Sequence, residues 1–185
     1  AFVERVRAAE ASLGGTRLAQ AVARNLFKLM AYKDEYEVAR LHTDARFTEK
    51  IGQMFEGDYK LVHHLAPPGL SKLNDKGEPI KQAFGPWVRS AFGVLAKMKG
   101  LRGTALDVFG KTEERRMERA LIHEYRSTLE ELLKGLNAER LAQAVEIAQL
   151  PRDIRGYGHV KATHLARVRP KWEALMAQWR AGSKA

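Results

Sequence analysis

The sequence contains no cysteine. That excludes disulfide bonds, cysteine-ligated zinc and cysteine-ligated iron–sulfur clusters from this chain. A reducing cytoplasm is the compartment it fits most easily. No apolar run approaches the roughly 18 residues of a membrane-spanning helix. The opening A-F-V-E-R-V-R lacks a long apolar core and carries Glu4, Arg5 and Arg7, so it does not read as a signal peptide. The first residue is not methionine, which fits a processed chain or a fragment of a longer one. Internal repeats and low-complexity tracts are also missing. With 185 residues the chain suggests a single helical domain over 1–185. A compact chain of this size buries roughly 70% of its unfolded surface and needs no staple.

Net charge is +10, and it is uneven. Residues 1–85 carry 13 basic and 11 acidic side chains, and residues 112–150 carry 6 and 8. Residues 86–111 carry 5 and 1, and residues 151–185 carry 8 and 2. The surplus therefore lies in two segments. Gathered on one face, they would meet phosphate, nucleic acid or an acidic protein surface.

Helical spacing dominates, and the fold class expected is mainly α, with about six to seven helices. Over 16–31, Leu18, Val22, Leu26 and Leu29 form one stripe, and Thr16 is placed as N-cap. Shorter helices are predicted over 33–41 and 45–55, the second capped by Asp44 and ended by Gly57. Residues 58–85 are β-rich and broken by Pro67-Pro68, with a turn signal N-D-K-G at 74–77. They read as a short hairpin, with arms near 59–65 and 79–84, or as a proline-pinned loop. Helix returns over 87–99, and 101–110 is a connector. Thr112 opens the clearest helix, with Met117, Leu121, Tyr125, Thr128 and Leu132 in register and Gly135 as its stop. Asn137 caps a helix near 138–149 that Pro151 closes. The last helix, about 159–180, spaces Leu165, Val168, Trp172, Leu175 and Trp179 as a heptad-like seam. Pro170 within it predicts a kink or a restart.

Candidate chemistry is thin. His63 and His64 would point to opposite faces of a strand, His159 and His164 do not align on a helix, and no H-E-x-x-H occurs. A metal site is therefore not expected. Glu114 and Glu118, interleaved with Arg115 and Arg119, read as a solvated, ion-paired helix face. Phe84, Trp87 and Phe92 read as packing residues rather than a base-stacking platform, and Trp172 and Trp179 as packed inward or against a partner surface.

The remaining candidate is R-D-I-R-G-Y-G-H-V-K, residues 152–161. Gly156 and Gly158 permit positive φ, so backbone amides can converge on an anion. His159 and Lys161 fall at a helix N-terminus, which favours negative charge. Arg152 and Arg155 add donors. The simpler alternative is that Pro151 and the glycines only re-aim the chain between helices.

Several phrases occur together and in order. They are A-R-N-L-F-K-L-M-A-Y-K-D-E-Y-E-V-A-R-L at 23–41, F-E-G-D-Y-K-L-V-H-H-L-A-P-P at 55–68 and F-G-P-W at 84–87. A-K-M-K-G-L-R-G-T follows at 96–104, D-V-F-G-K-T-E-E-R-R-M-E-R-A-L-I at 107–122 and I-R-G-Y-G-H-V-K at 154–161. The chain thereby resembles the C-terminal region of single-chain indolepyruvate:ferredoxin oxidoreductases, a 2-oxoacid:ferredoxin oxidoreductase family. The resemblance implies a parent enzyme that decarboxylates a 2-oxoacid with thiamine diphosphate and magnesium. Electrons would pass through iron–sulfur clusters to ferredoxin, and an acyl-CoA would form. No G-D-G with a following asparagine pair and no cysteine occurs here, so no catalytic residue and no cofactor is carried over to this chain. What the resemblance implies is a non-catalytic accessory domain whose partners are the catalytic domains of the same polypeptide. CoA is a further candidate ligand, with Arg102 as a second phosphate donor. The rival reading is an independent basic helical nucleic-acid-binding module, which no helix-turn-helix, zinc-finger or RNA-binding signature supports.

Overall fold

A computed structural model describes residues 1–67, 71–75 and 80–182. As the spacing predicts, the fold is mainly α with one very small sheet. Contacts divide the chain into two compact units, residues 1–32 with 113–185 and residues 33–112.

The first unit holds α1 (Phe2–Ala11), α2 (Arg17–Met30), α6 (Glu113–Lys134), α7 (Leu141–Gln149) and α8 (Gly158–Ala181). Its core joins the α2 stripe of Leu18, Val22, Leu26 and Leu29 to Leu121, Tyr125, Leu129 and Leu132 of α6. Ala144, Val145 and Ile147 of α7 and Val168, Trp172, Met176 and Trp179 of α8 complete it. Buried polar groups in this core are hydrogen-bonded, as burial demands. The Tyr125 hydroxyl donates to Ala148 O at 2.7 Å, and the Asn25 amide donates to Ala21 O and Ala148 O at 2.9 Å each. Trp172 Nε1 donates to Thr128 Oγ1 at 3.3 Å. Around the rim, Arg5 pairs with Glu130 and Arg180 with Glu131, each through two hydrogen bonds.

Three details of this unit depart from the sequence reading. Helix α1 was not anticipated. Its Glu10 is fully buried and accepts the backbone N–H groups of Leu18 and Ala19, each at 2.8 Å. Thr16 stands at the N-cap of α2, but its side chain makes no cap hydrogen bond. A carboxylate from a preceding helix does that work, satisfying two orphan donors and the helix dipole at once. Third, of the two alternatives expected at Pro170, the restart does not occur: α8 continues through it as one helix. One missing backbone donor is tolerated where the Val168–Trp172–Met176–Trp179 stripe is buried across it.

The second unit holds α3 (Glu35–Thr43), α4 (Ala45–Met54), β1 (His63–Leu65), β2 (Gln82–Phe84) and α5 (Val88–Lys97), followed by a 3-10 turn, Met98–Leu101. The hairpin alternative is the one realised: β1 and β2 pair antiparallel, His63 opposite Phe84 and Leu65 opposite Gln82. The N-D-K-G turn at 74–77, the second proline Pro68 and the start of the 79–84 arm fall wholly or partly outside the described residues. As expected of adjacent strand residues, His63 is buried and His64 exposed. Asp44 caps α4, accepting the Arg46 N–H at 2.9 Å. The core is small, with Ala39, Val88 and Phe92 at its centre. Phe92 stacks on His42, and His63 meets both rings edge-on. Trp87 was expected to pack but is 64% exposed. It precedes the first residue of α5, off the face that Val88 and Phe92 bury, and touches Phe84 edge-on. In the 101–110 connector, the buried Asp107 carboxylate accepts from Gly103 N (2.8 Å), Gly110 N (3.0 Å) and the Tyr36 hydroxyl (3.2 Å). Burial opposes its charge, but these donors outweigh that and hold its pKa below the ordinary aspartate value.

No helix among the described residues is long and apolar enough to cross a membrane.

Candidate functional site

The segment 152–161 joins α7 to α8. Pro151 ends α7 in a 3-10 turn, Leu150–Asp153. Gly156 then adopts φ +82°, where a Cβ would meet Val160 Cγ1 at 2.6 Å. Gly158, at φ +56°, opens α8. Both glycines are thus required by backbone conformation, and the first also by space.

Two of the donors that the sequence offers to an anion are occupied by the chain's own carboxylates. Gly158 N–H donates to Glu114 Oε1 at 2.8 Å. Lys161, 5% exposed, donates to Glu118 Oε1 at 3.0 Å. Glu118 also binds the Arg115 guanidinium through its other oxygen. A lysine in the first turn of a helix opposes the dipole, and Glu114 and Glu118 of α6 supply the negative charge that this end favours. The α6 face expected to be solvated is therefore buried in part: Arg115 is 4% exposed and Glu118 1%, whereas Glu114 is half-buried and Arg119 exposed. Ion pairing was read correctly, but the packing of the α8 start over this face was not legible from α6 alone.

The other candidate residues lie as follows. The Arg155 backbone is held by His164, whose Nδ1 sits 2.9 Å from Arg155 O and 3.3 Å from Arg155 N. Arg155 Nε reaches Arg152 O at 3.5 Å, and Arg152 pairs loosely with Asp153 at 3.7 Å. His159 is exposed in the first turn of α8. Arg102 belongs to the second unit, where it pairs with Asp34. The two cationic segments are likewise divided: 86–111 lies in the second unit and 151–185 in the first.

Beside the α7–α8 joint, the first unit has a cleft of about 350 Å³. Its walls include Phe27, Lys28 and Tyr32 from the end of α2, and Gly156, Tyr157 and Lys161 from the α8 start. The Lys28 ammonium donates to Pro151 O at 2.8 Å and Arg152 O at 2.7 Å, closing the carbonyl end of the 3-10 turn. Burial, and next the positive charge of Arg155, hold Lys28 below the ordinary lysine pKa. The Arg115 guanidinium lies 5.3 Å from the centre of the Tyr32 ring. Sequence reasoning missed Phe27, Lys28 and Tyr32. The signal available was that Phe27 and Met30 are large apolar residues off the buried stripe of α2. Among the described residues, no group of three or more His, Asp or Glu is placed to hold a metal.

A model of a family of unknown function, DUF6537, matches residues 1–174. The chain belongs to that family. The match takes in both units and ends within α8, so the helical pair of units, rather than either alone, is the module this DUF6537 protein shares with its family. No curated protein and no solved structure matches it.

Proposed function

We propose that this DUF6537 chain is a non-catalytic accessory domain of a thiamine-diphosphate- and iron–sulfur-dependent 2-oxoacid:ferredoxin oxidoreductase of the indolepyruvate type. In this reading it docks on the catalytic domains of the same polypeptide. The observation that carries the docking role is the surface of the second unit. Of the 16 large apolar side chains exposed among the described residues, 12 lie in residues 33–112, including Phe55, Trp87, Leu106 and Val108. Its buried apolar residues, by contrast, are Tyr36, Ala39, Val88 and Phe92. A unit with a thin core and much exposed apolar surface is one built to be covered. The cationic surplus suits an acidic counter-surface, steering the encounter. The identity of that body rests on the ordered sequence phrases, which run from residue 23 to 161 across both units.

CoA is a further ligand in this reading, held through its phosphates by the Arg152–Lys161 segment. Calorimetry with the pair Arg155→Ala and Lys161→Ala tests it: unchanged affinity removes CoA from the proposal. For the whole, the polypeptide of the complete reading frame is expected to reduce methyl viologen with indolepyruvate and CoA, dependent on thiamine diphosphate. A reading frame without diphosphate and cysteine motifs, or a cluster-loaded product with no oxoacid-dependent reduction, would overturn it.

A further inference from the structure

The cleft of the first unit has the properties of a binding site rather than of a packing defect. In contrast to the second unit, the first exposes few large apolar side chains: Phe27, Met30, Tyr157 and Val160 among the described residues. Phe27 and Tyr157 line the cleft, and Val160 lies against Gly156 of its wall. Phe27 and Met30 share a face of the α2 end, and Tyr157 and Val160 share a face of the α8 start. Phe27 is 73% exposed and Tyr157 58%, and both line the cleft with Tyr32. Three aromatic rings are thereby offered to one space of about 350 Å³, within the size range of small-molecule sites.

The same space carries positive charge. Lys28 and Lys161 line it and no carboxylate does among the described residues, Glu118 reaching Lys161 as its ion-pair partner. The Lys161 ammonium is buried, and among the described residues Glu118 Oε1 is the one acceptor it reaches. An ammonium has three donors, and a buried donor left without an acceptor is costly. Lys28 spends two of its three on the carbonyls of Pro151 and Arg152. Both lysines therefore keep donors beyond those that the described residues satisfy. Lysine binds an anionic group as a point charge, without the planar fork that arginine requires.

We propose that this cleft binds a small planar organic anion, its aromatic body against Phe27, Tyr32 and Tyr157 and its acidic group on Lys28 and Lys161. The shared chemistry is a flat ring bearing a carboxylate or a phosphate, and stacking on aromatic walls tolerates many ring systems. The site lies within the first unit alone. It shares Lys161 with the CoA reading but rests on nothing in the docking reading, so its failure leaves docking on the catalytic body standing.

Titration calorimetry on the 185-residue chain tests it with three probes: 2-naphthoate, adenosine monophosphate and the neutral 2-naphthalenemethanol. At least one anion is expected to bind saturably at one site, and the neutral alcohol at least about tenfold more weakly, the value of one charge-assisted hydrogen bond. Whichever anion binds more tightly identifies a carboxylate or a phosphate source. Phe27→Ser, at an exposed position that leaves the core untouched, and Lys28→Gln should each weaken the anion by about tenfold, with helical circular dichroism unchanged. No saturable heat with either anion at millimolar concentration would overturn the assignment. So would an alcohol that binds as tightly as its anion, or folded variants of both kinds with wild-type affinity.

Discussion

Replacing Lys161 by methionine removes one partner of a buried ion pair and leaves the other. Methionine keeps most of the side-chain volume, so the packing of the α8 start is preserved and the change is mainly electrostatic. Glu118 is 1% exposed, and its Oε1 loses the donor now at 3.0 Å. Breaking a buried pair by removing one partner costs about 3–5 kcal/mol. Arg115 still holds the second oxygen of Glu118, so the lower end, about 3 kcal/mol, is expected. Glu118→Gln in the same background neutralises the stranded group while still accepting from Arg115. The double variant should then lose less than the sum of the two single ones, by at least about 1.5 kcal/mol, a coupling typical of residues in one network. Urea unfolding followed by tryptophan fluorescence is the assay. Trp172 and Trp179 are buried in the first unit and report on it, whereas Trp87 is exposed in the second. A Lys161→Met chain within about 0.5 kcal/mol of wild type, the range of an ordinary surface change, would refute the buried pair.

Other outcomes follow from the same geometry. Glu10→Ala uncaps α2 and should cost about 2 kcal/mol, at the upper end for a cap because two backbone donors lose a buried carboxylate; thermal unfolding equal to wild type would contradict this. Gly156→Ala should cost about 1–2 kcal/mol for its positive φ, plus the displacement of Val160. Adding Val160→Ala should recover only the second part in the same thermal assay. Burial first, then neighbouring His42 and Arg89, hold the His63 pKa below its usual 6.5. The unfolded chain therefore takes up that proton at higher pH than the folded one. Stability from neutral His63 is complete above about pH 7 and is lost as pH falls through 6.5 towards the folded value. Near-ultraviolet circular dichroism between pH 7.5 and 5 should show this loss, and His63→Phe should flatten it. Fluorescence anisotropy with random duplex and single strands should show only weak binding at physiological salt. Nanomolar affinity that falls steeply with salt would favour the nucleic-acid-binding alternative.

The helices were legible wherever one stripe of apolar residues faces one core. The α2 stripe, α6 and the tryptophans of α8 lie where their spacing puts them, because a 3.6-residue period maps directly onto a buried face. The α7 start is less sharp. Asn137 accepts the Arg140 N–H at 3.0 Å in the turn ahead of Leu141, but the N-cap is Arg140 and the helix begins three residues later than expected. What escaped the sequence are features made by two distant segments. Glu10 caps α2 from α1, and no local pattern marks a carboxylate as a cap eight residues ahead of its donor. Arg115 and Glu118 read as solvent-facing because charged residues almost always are, and Lys161 as a donor to an anion rather than to Glu118. Their burial depends on α6 and the α8 start meeting across more than 40 residues of chain. The glycines of R-G-Y-G were legible as points of positive φ. That the Gly158 N–H takes Glu114 was not, since periodicity says nothing about which acid reaches which amide.

Docking on a catalytic body is tested most directly by separating the chain from it. The polypeptide of the full reading frame is prepared without residues 1–185, and the 185-residue chain is added back while association is followed by analytical ultracentrifugation. Reassociation is expected, weakened at high salt and abolished by Trp87→Asp with Val108→Asp. A remainder that does not bind the added chain at any salt concentration, and is as active without it, would contradict the accessory role.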